Sequence, residues 1–361
     1  MELGLNALPL PADEWYWRDL GVTWCKWAAD IDQPEEHLDD RRQFELAARW
    51  GLRTCVDLRT SSQWMTEQGT TAWAQLHAAD KLLSLPEGRT FEEQDHVVKA
   101  NQRAVHEIVL ERITEQARAY VSRYRDCCCD WEWWGESDCP ATSAGIFHIL
   151  TYPETLKVVY QAIKDVQPEA RVWTGGNGMD INDGWVKGLQ RDGALKSFDI
   201  LNWHPFALTL RDRPAIEERL HEAYGEWRKT LAAEGLNQPY AATEWGYPSL
   251  RAATHGQREW LESHVVKGRI SQLYPEEALE FYGRDLCIME QYGFQVVMVH
   301  TLRDTKSRHW GSKCGLLTLP IKGLWGRAIR ALWRTAEAKP VYGLVREWAQ
   351  RGAAGRPAFA T

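Results

Sequence analysis

From Leu20 onward the chain repeats one pattern: a short apolar run rich in β-branched and aromatic residues, then a longer stretch with apolar positions three and four apart. LGVTWCKW (20 to 27), LDDRRQFELAARWG (38 to 51) and LRTCVDLRT (52 to 60) read as strand, helix, strand. A helical stretch around Thr71 to Asp80 leads to KLLSLP (81 to 86), taken as the third strand. Between Glu92 and Arg125, the positions Val97, Val98, Val105, Ile108, Val109, Ile113, Ala117 and Val121 predict one long amphipathic helix.

The alternation continues through CCDWEWWGE, ARVWTGG, FDILNWHPF, PYAATEWG and FQVVMVHTL, with helical segments between them. Counting LGVTWCKW as the first strand makes FQVVMVHTL the eighth. An eightfold β/α alternation predicts a closed parallel (β/α)8 TIM barrel of the α/β class, a single domain over residues 1–361. Residues 1–19 would be an N-terminal extension and 350–361 a flexible tail. The competing architecture, an open doubly wound sheet, would place a glycine-rich phosphate loop after the first strand, and no GxGxxG stands there. The GGNG at Gly175 to Gly178 lacks the Walker lysine and reads as a flexible βα loop.

Charge and composition narrow the function. A net charge of −7 and a pI near 5.9 argue against a nucleic-acid partner, which needs a basic face. No run approaches the roughly 18 apolar residues of a membrane helix, and mean hydropathy is −0.48, so no membrane partner is expected. The eight cysteines have no paired CxxC spacing and read as reduced thiols rather than metal ligands. The start, MELGLNALPLPADEWYW, has no positive n-region and no apolar h-region, so a cytoplasmic location is expected.

Candidate chemistry starts with WEWWGES, residues 131 to 137, which sets carboxylates among indoles. Such a mixture suits a ligand that is both flat and polar, as a sugar is. Period two puts Glu132, Trp134 and Glu136 on one strand face, with Glu136 nearest the C-terminal end, where barrel sites form. Glu132, deeper on that face, reads as a structural hydrogen-bonding group. TEWG places Glu244 at the end of the seventh strand, before the turn-favouring Gly246. The two glutamates are three βα units apart at about 36 residues each, near the roughly 31 of a typical barrel. They suit retaining glycoside hydrolysis, which takes one carboxylic acid and one attacking carboxylate.

In these motifs the chain resembles the clan A glycoside hydrolases, with families 39 or 5 as the nearest in pattern. WEWWGES is similar to the clan's W-E-x-W-N-E, TEWG to its strand-seven motif, and FDILNWHPF to D-x-x-x-x-H-x-Y. GLLTLP followed by KPVYGLV resembles the segment that closes the barrel, with Lys339 and Pro340 opening the last helix. The resemblance implies Glu136 as acid/base, Glu244 as nucleophile, His204 near the catalytic centre, an oligosaccharide or glycoside as substrate, and no metal or organic cofactor.

Two positions depart from the pattern. Gly135 stands where these enzymes carry an asparagine that binds the sugar 2-hydroxyl, a contact left to Asn202 or Asn177, and Phe206 replaces a tyrosine beside the nucleophile. Trp27, Trp134, Trp203 and Trp245, at predicted strand ends, are candidates to stack on pyranose faces. His300 and Arg303 follow the eighth strand where the clan has a tryptophan platform, which Trp310 would replace, and Arg59 would orient a carboxylate. Glu136 is expected to have a raised pKa from a like charge and from burial against indole. The alternatives are a non-catalytic carbohydrate-binding barrel and, behind it, a barrel enzyme with a non-sugar substrate.

Overall fold

The structure is a computed structural model that describes residues 1–32, 40–84, 90–136, 151–176, 184–205, 213–247, 275–303, 315–317 and 338–354. Eight parallel strands make one sheet: β1 (Glu2–Asn6), β2 (Trp24–Asp30), β3 (Arg53–Arg59), β4 (Asp130–Trp133), β5 (Arg171–Thr174), β6 (Leu201–Trp203), β7 (Tyr240–Trp245) and β8 (Phe294–Val299). Their spatial order is β5-β4-β3-β2-β1-β8-β7-β6. The remaining seam is stitched by a parallel bridge between Trp173 and Ile200 and by the Thr174 amide donating to the Ile200 carbonyl at 3.0 Å. The sheet is thus a nearly closed barrel, as the strand–helix alternation predicts.

Helices alternate with the strands: α1 (Glu14–Leu20), α2 (Asp40–Arg49), α3 (Ser62–Ala78), α4 (Phe91–Tyr124), α5 (Tyr152–Val166), α6 (Gly184–Arg191), α7 (Arg213–Ala233), α8 (Pro275–Gln291) and α9 (Pro340–Ala354). Helix α4 starts at a capping box, in which Thr90 and Glu93 satisfy each other's backbone amides. Its buried stripe of Val105, Val109, Ile113, Ala117, Val121 and Tyr124 faces the barrel layer.

Two expectations about the amino-terminal half need correction, and their errors offset each other. The first strand is β1, inside the segment expected to be an extension; it pairs with both β8 and β2 and joins the two halves of the sheet. No strand lies at 81–84, the described part of KLLSLP. Leu83 is exposed, and its amide and carbonyl are both held by the side chain of Asn101 instead of a neighbouring strand. Strands four to eight therefore keep their expected ordinal numbers. At the other end, α9 carries residues 350–354 in helix, which shortens the expected tail; 355–361 lie outside the described residues.

The interior is layered by period-two pleating. Trp24, Cys55, Trp173, Ile200, Ala241, Val296 and Met298 form an apolar cluster of their own inside the barrel. One pleat further along the strands, Lys26, Asp57, Glu132, Asn202 and Thr243 replace it with a polar layer, all of them buried. The opposite strand faces pack outward on helices; Trp203, for instance, lies edge-on to Tyr224 and Trp227 of α7.

Gly4 is the inward position of β1 that makes room for Trp24: an added Cβ would lie 2.6 Å from the Trp24 Cβ and 2.9 Å from its carbonyl oxygen. Overpacking of this kind costs about 1–3 kcal/mol. Gly4→Val is expected to lower the urea unfolding midpoint by a corresponding amount. A midpoint equal to wild type would show that β1 does not pack into the barrel as described.

Candidate active site

The floor of the site is a buried ammonium. Lys26, 1% exposed, extends from β2 into the barrel and donates to Glu132 Oε1 at 3.0 Å, Thr243 Oγ1 at 3.0 Å and Glu244 Oε1 at 3.3 Å. Glu132, fully buried, also accepts from the Thr243 hydroxyl at 2.8 Å and from the Gly176 amide at 3.4 Å. Asn202 completes the layer, its amide nitrogen donating to Thr243 Oγ1 at 2.7 Å and its oxygen accepting from the Thr243 amide at 2.9 Å. A charge so deep is tolerated only when paired and hydrogen-bonded, and here β4 and β7 supply the partners.

Above this floor Glu136 and Glu244 face each other. Between Ala242 and Trp245, β7 advances three residues while β8 advances two, from Val297 to Val299. This bulge lets adjacent side chains, Thr243 and Glu244, both reach the interior cluster, where a regular strand would send them to opposite faces. Glu136 arrives differently. Strand β4 stops at Trp133, and both Trp134 and Glu136 take φ of 57°, in the left-handed region. The backbone turn, held by the Glu136 amide donating to the Gly176 carbonyl at 2.6 Å, aims the carboxylate inward; continued pleating does not.

Glu136, His204 and Glu244 each bring one oxygen or nitrogen to within 4.8 Å of the other two. His204 Nδ1 is 3.5 Å from Glu136 Oε1 and 3.9 Å from Glu244 Oε2, and His300 Nδ1 is 3.5 Å from Glu244 Oε2. His300 Nδ1 also lies 3.0 Å from the Asn6 amide nitrogen, so the corrected first strand contributes to the site. On its flank Asp57 is held by Arg59 Nε at 2.7 Å and by the Gly135 amide at 2.9 Å.

These placements polarise the carboxylates. Burial disfavours the Glu244 charge, but His204, Lys26 and His300 outweigh it and hold the group well below the usual carboxylate range. Glu132, opposed by burial, is brought down to about 2 by Lys26 and His204. His204 is pushed down by burial, yet Glu244 foremost, with Glu132 and Glu136, lifts it to about 9. His300 is lowered by its burial. Glu136 corrects an expectation: burial raises it, as does Glu244, but the His204 imidazolium wins and the pKa is lowered.

Other candidates are placed as follows. Trp27, Trp134, Trp203 and Trp245 are all buried, between 0 and 5% exposed, and offer no open face for a sugar. Trp27 packs on Phe44 of α2, and Trp245, beyond the β7 bulge, packs on Tyr282 of α8 while donating to Asp285 at 3.1 Å. Trp134 lies edge-on to Trp133. Asn202 is engaged by Thr243 at both ends of its amide, a role in the floor. Gly135 is dictated by packing, since a Cβ there would sit 2.7 Å from Asp57 Oδ2. Trp310, Asn177 and Phe206 lie outside the described residues.

Sequence reasoning missed Lys26, although its place between Trp24 and Trp27 in a buried parallel strand was a signal. It also missed the fit of Gly175 and Gly176. A Cβ on Gly176 would meet His204 Cδ2 at 2.0 Å, and one on Gly175 the Trp134 carbonyl at 1.9 Å, so the first half of GGNG is a close-packing device. The Glu136–His204–Glu244 group has the spacing of a metal site, but Lys26 Nζ already lies 3.3 Å from Glu244 and 3.5 Å from His204 Nε2. A second cation would be repelled by that ammonium, so the three are not assigned as metal ligands.

No family model matches the chain, and no curated protein matches it in sequence. Solved structures do. A β-glucuronidase from Ruminococcus gnavus in complex with D-glucuronic acid aligns at TM-score 0.57 and 12% identity, over 96% of this chain and 49% of that one. One from Lactobacillus rhamnosus aligns at 0.53 and 13%, over 97% and 49%. The apo Ruminococcus gnavus enzyme aligns at 0.55 and 11%, over 94% and 45%. The chain shares the (β/α)8 TIM-barrel fold of these neighbours. It spans about half the length of these neighbours, and at such identity the likeness is one of architecture.

The charge on His204 has a signature in stability. With a folded pKa of about 9 against 6.5 for an ordinary histidine, the native state holds a proton that the unfolded chain releases. The stabilisation is complete below about pH 6.5 and is lost as pH rises through about 9. The urea midpoint is therefore expected to drop from pH 6.5 to 9.5, and to drop less in His204→Gln. Equal slopes in the two proteins would show that His204 is not charged in the fold.

Proposed function

We propose that the protein is a retaining β-glycosidase in which Glu244 is the nucleophile and Glu136 the acid/base. The observation that carries this reading is the facing pair: carboxylate oxygens from the ends of β4 and β7 within 4.8 Å, with cations gathered on the Glu244 side. Inverting enzymes hold the two groups about 6.5–9.5 Å apart to admit a water between them, and retaining enzymes about 5–5.5 Å apart. The short separation favours direct attack.

In the first step Glu244 Oε2 forms a bond to the anomeric carbon as the glycosidic C–O bond breaks, and the leaving oxygen takes a proton from Glu136. The proton source for Glu136 is at hand, because the His204 imidazolium stands 3.5 Å away. Once Glu244 becomes a glycosyl ester its negative charge is gone, and with it the repulsion that raises the Glu136 pKa. Glu136 then accepts a proton from water, whose oxygen attacks the anomeric carbon and frees Glu244. No metal or organic cofactor enters the cycle. The substrate is a β-linked glycoside or oligosaccharide, and β-glucuronides are the first to try because the structural neighbours are β-glucuronidases.

Wild-type protein is expected to release the aglycone from at least one member of an aryl β-glycoside panel, with the first-formed sugar in the β configuration by NMR. Glu244→Gln should reduce kcat/KM by roughly 10³-fold or more. Glu136→Gln should reduce it by about 10² to 10⁴-fold for poor leaving groups and far less for good ones. An inverted product, or a fully active Glu244→Gln, would refute the assignment. Binding across the panel without release would instead favour the non-catalytic barrel.

A further inference from the structure

We propose that Lys26 is a positioning residue for the nucleophile: it occupies Glu244 Oε1 from below, fixes the carboxylate plane, and leaves Oε2 as the attacking oxygen. This rests on the glycosidase reading and adds to it a role for a residue outside the paired carboxylates. The Lys26 ammonium is 3.3 Å from Oε1, whereas Oε2 faces the histidines, with His300 Nδ1 at 3.5 Å and His204 Nδ1 at 3.9 Å. The two oxygens are thus inequivalent before any substrate arrives.

Lys26 is itself held rigidly. Glu132 from β4 takes one of its hydrogens, Thr243 from β7 another, and Asp57 from β3 lies 3.9 Å away. The Thr243 hydroxyl is oriented in turn by donating to Glu132 and accepting from Asn202. The charged and titratable groups around the ammonium are then Asp57 and Arg59 on β3, Glu132 on β4, His204 after β6 and Glu244 on β7, with His300 after β8 facing Glu244 from its far side. Glu132 is the counter-ion that keeps Lys26 in place, which explains a third glutamate in a site that needs two. A purely structural Lys26–Glu132 pair would predict that neutralising both leaves Glu244 unchanged.

The test uses the full chain. Lys26→Met/Glu132→Gln removes both buried charges together, so neither is left unpaired. The Glu244 carboxyl is followed by ¹³C NMR across pH, alongside the pH profile of kcat/KM on the best aryl glycoside. The expected result is a rise of the Glu244 pKa by about one unit or more, a matching rise of the acid limb, and a fall in kcat of at least about ten-fold with KM within about three-fold. A folded double variant with the wild-type Glu244 titration would overturn the proposal.

Should that variant fail to fold, Glu244→Gln in a ¹⁵N-lysine sample gives the reciprocal reading. The Lys26 pKa is expected to fall by about a unit or more, and an unmoved Lys26 would equally overturn the proposal. Both titrations are read without turnover. A wild-type protein that cleaves no glycoside would therefore defeat the glycosidase reading while leaving the Lys26 result to stand or fall separately.

Discussion

The structure turns on one constraint: a positive charge buried at the centre of a parallel barrel must be met by negative charge from several strands at once. Lys26 on β2 meets Glu132 on β4 and Glu244 on β7, with Thr243 bridging between them. Removing Lys26 would leave the fully buried Glu132 without its nearest cation. The network therefore fixes the relative positions of strands far apart in sequence, and it sits one pleat above an apolar layer that cannot rearrange to accept charge.

Local backbone devices then deliver Glu136, His204 and Glu244 to the rim of that network. The bulge in β7 turns Glu244 toward the cluster, two left-handed residues after β4 do the same for Glu136, and Gly176 lets the β5 loop press against the His204 ring. Each device departs from regular strand geometry where a side chain must be re-aimed. The resulting asymmetry is electrostatic as well as geometric. Glu244 has Lys26 beneath it and His204 and His300 beside it; Glu136 has His204 as its near neighbour and remains partly open to solvent.

Much of this was legible in the sequence and some was not, for physical reasons. Strands that carry long apolar or alternating runs, such as FQVVMV and TCVDL, declare themselves, and so did the two glutamates at strand ends. Strand β1 has only Glu2–Asn6 with a central glycine, too short a signal to distinguish from an extension. KLLSLP has strand-like composition, but no strand lies at 81–84, where Leu83 is held by Asn101 instead. The tryptophans misled because an indole near a strand end faces the cleft or the helix layer according to parity, which the β7 bulge and the left-handed turn after β4 alter, and all four candidates fall on packed positions. Lys26 is not legible as a site residue because a lone lysine in a strand usually marks a solvated face, and the glutamates it bonds lie 106 and 218 residues away.

On the proposed function, Glu244, held ionised by this network, forms a covalent bond to a sugar opposite Glu136. The most direct test is to incubate the protein with a 2-deoxy-2-fluoro glycosyl fluoride of the preferred sugar, digest it, and locate the added mass. Stoichiometric labelling on Glu244 is expected, abolished in Glu244→Gln and slowed in the Lys26→Met/Glu132→Gln variant. Stable labelling of Glu136 or Glu132 instead, under conditions where the protein turns over the parent glycoside, would contradict it.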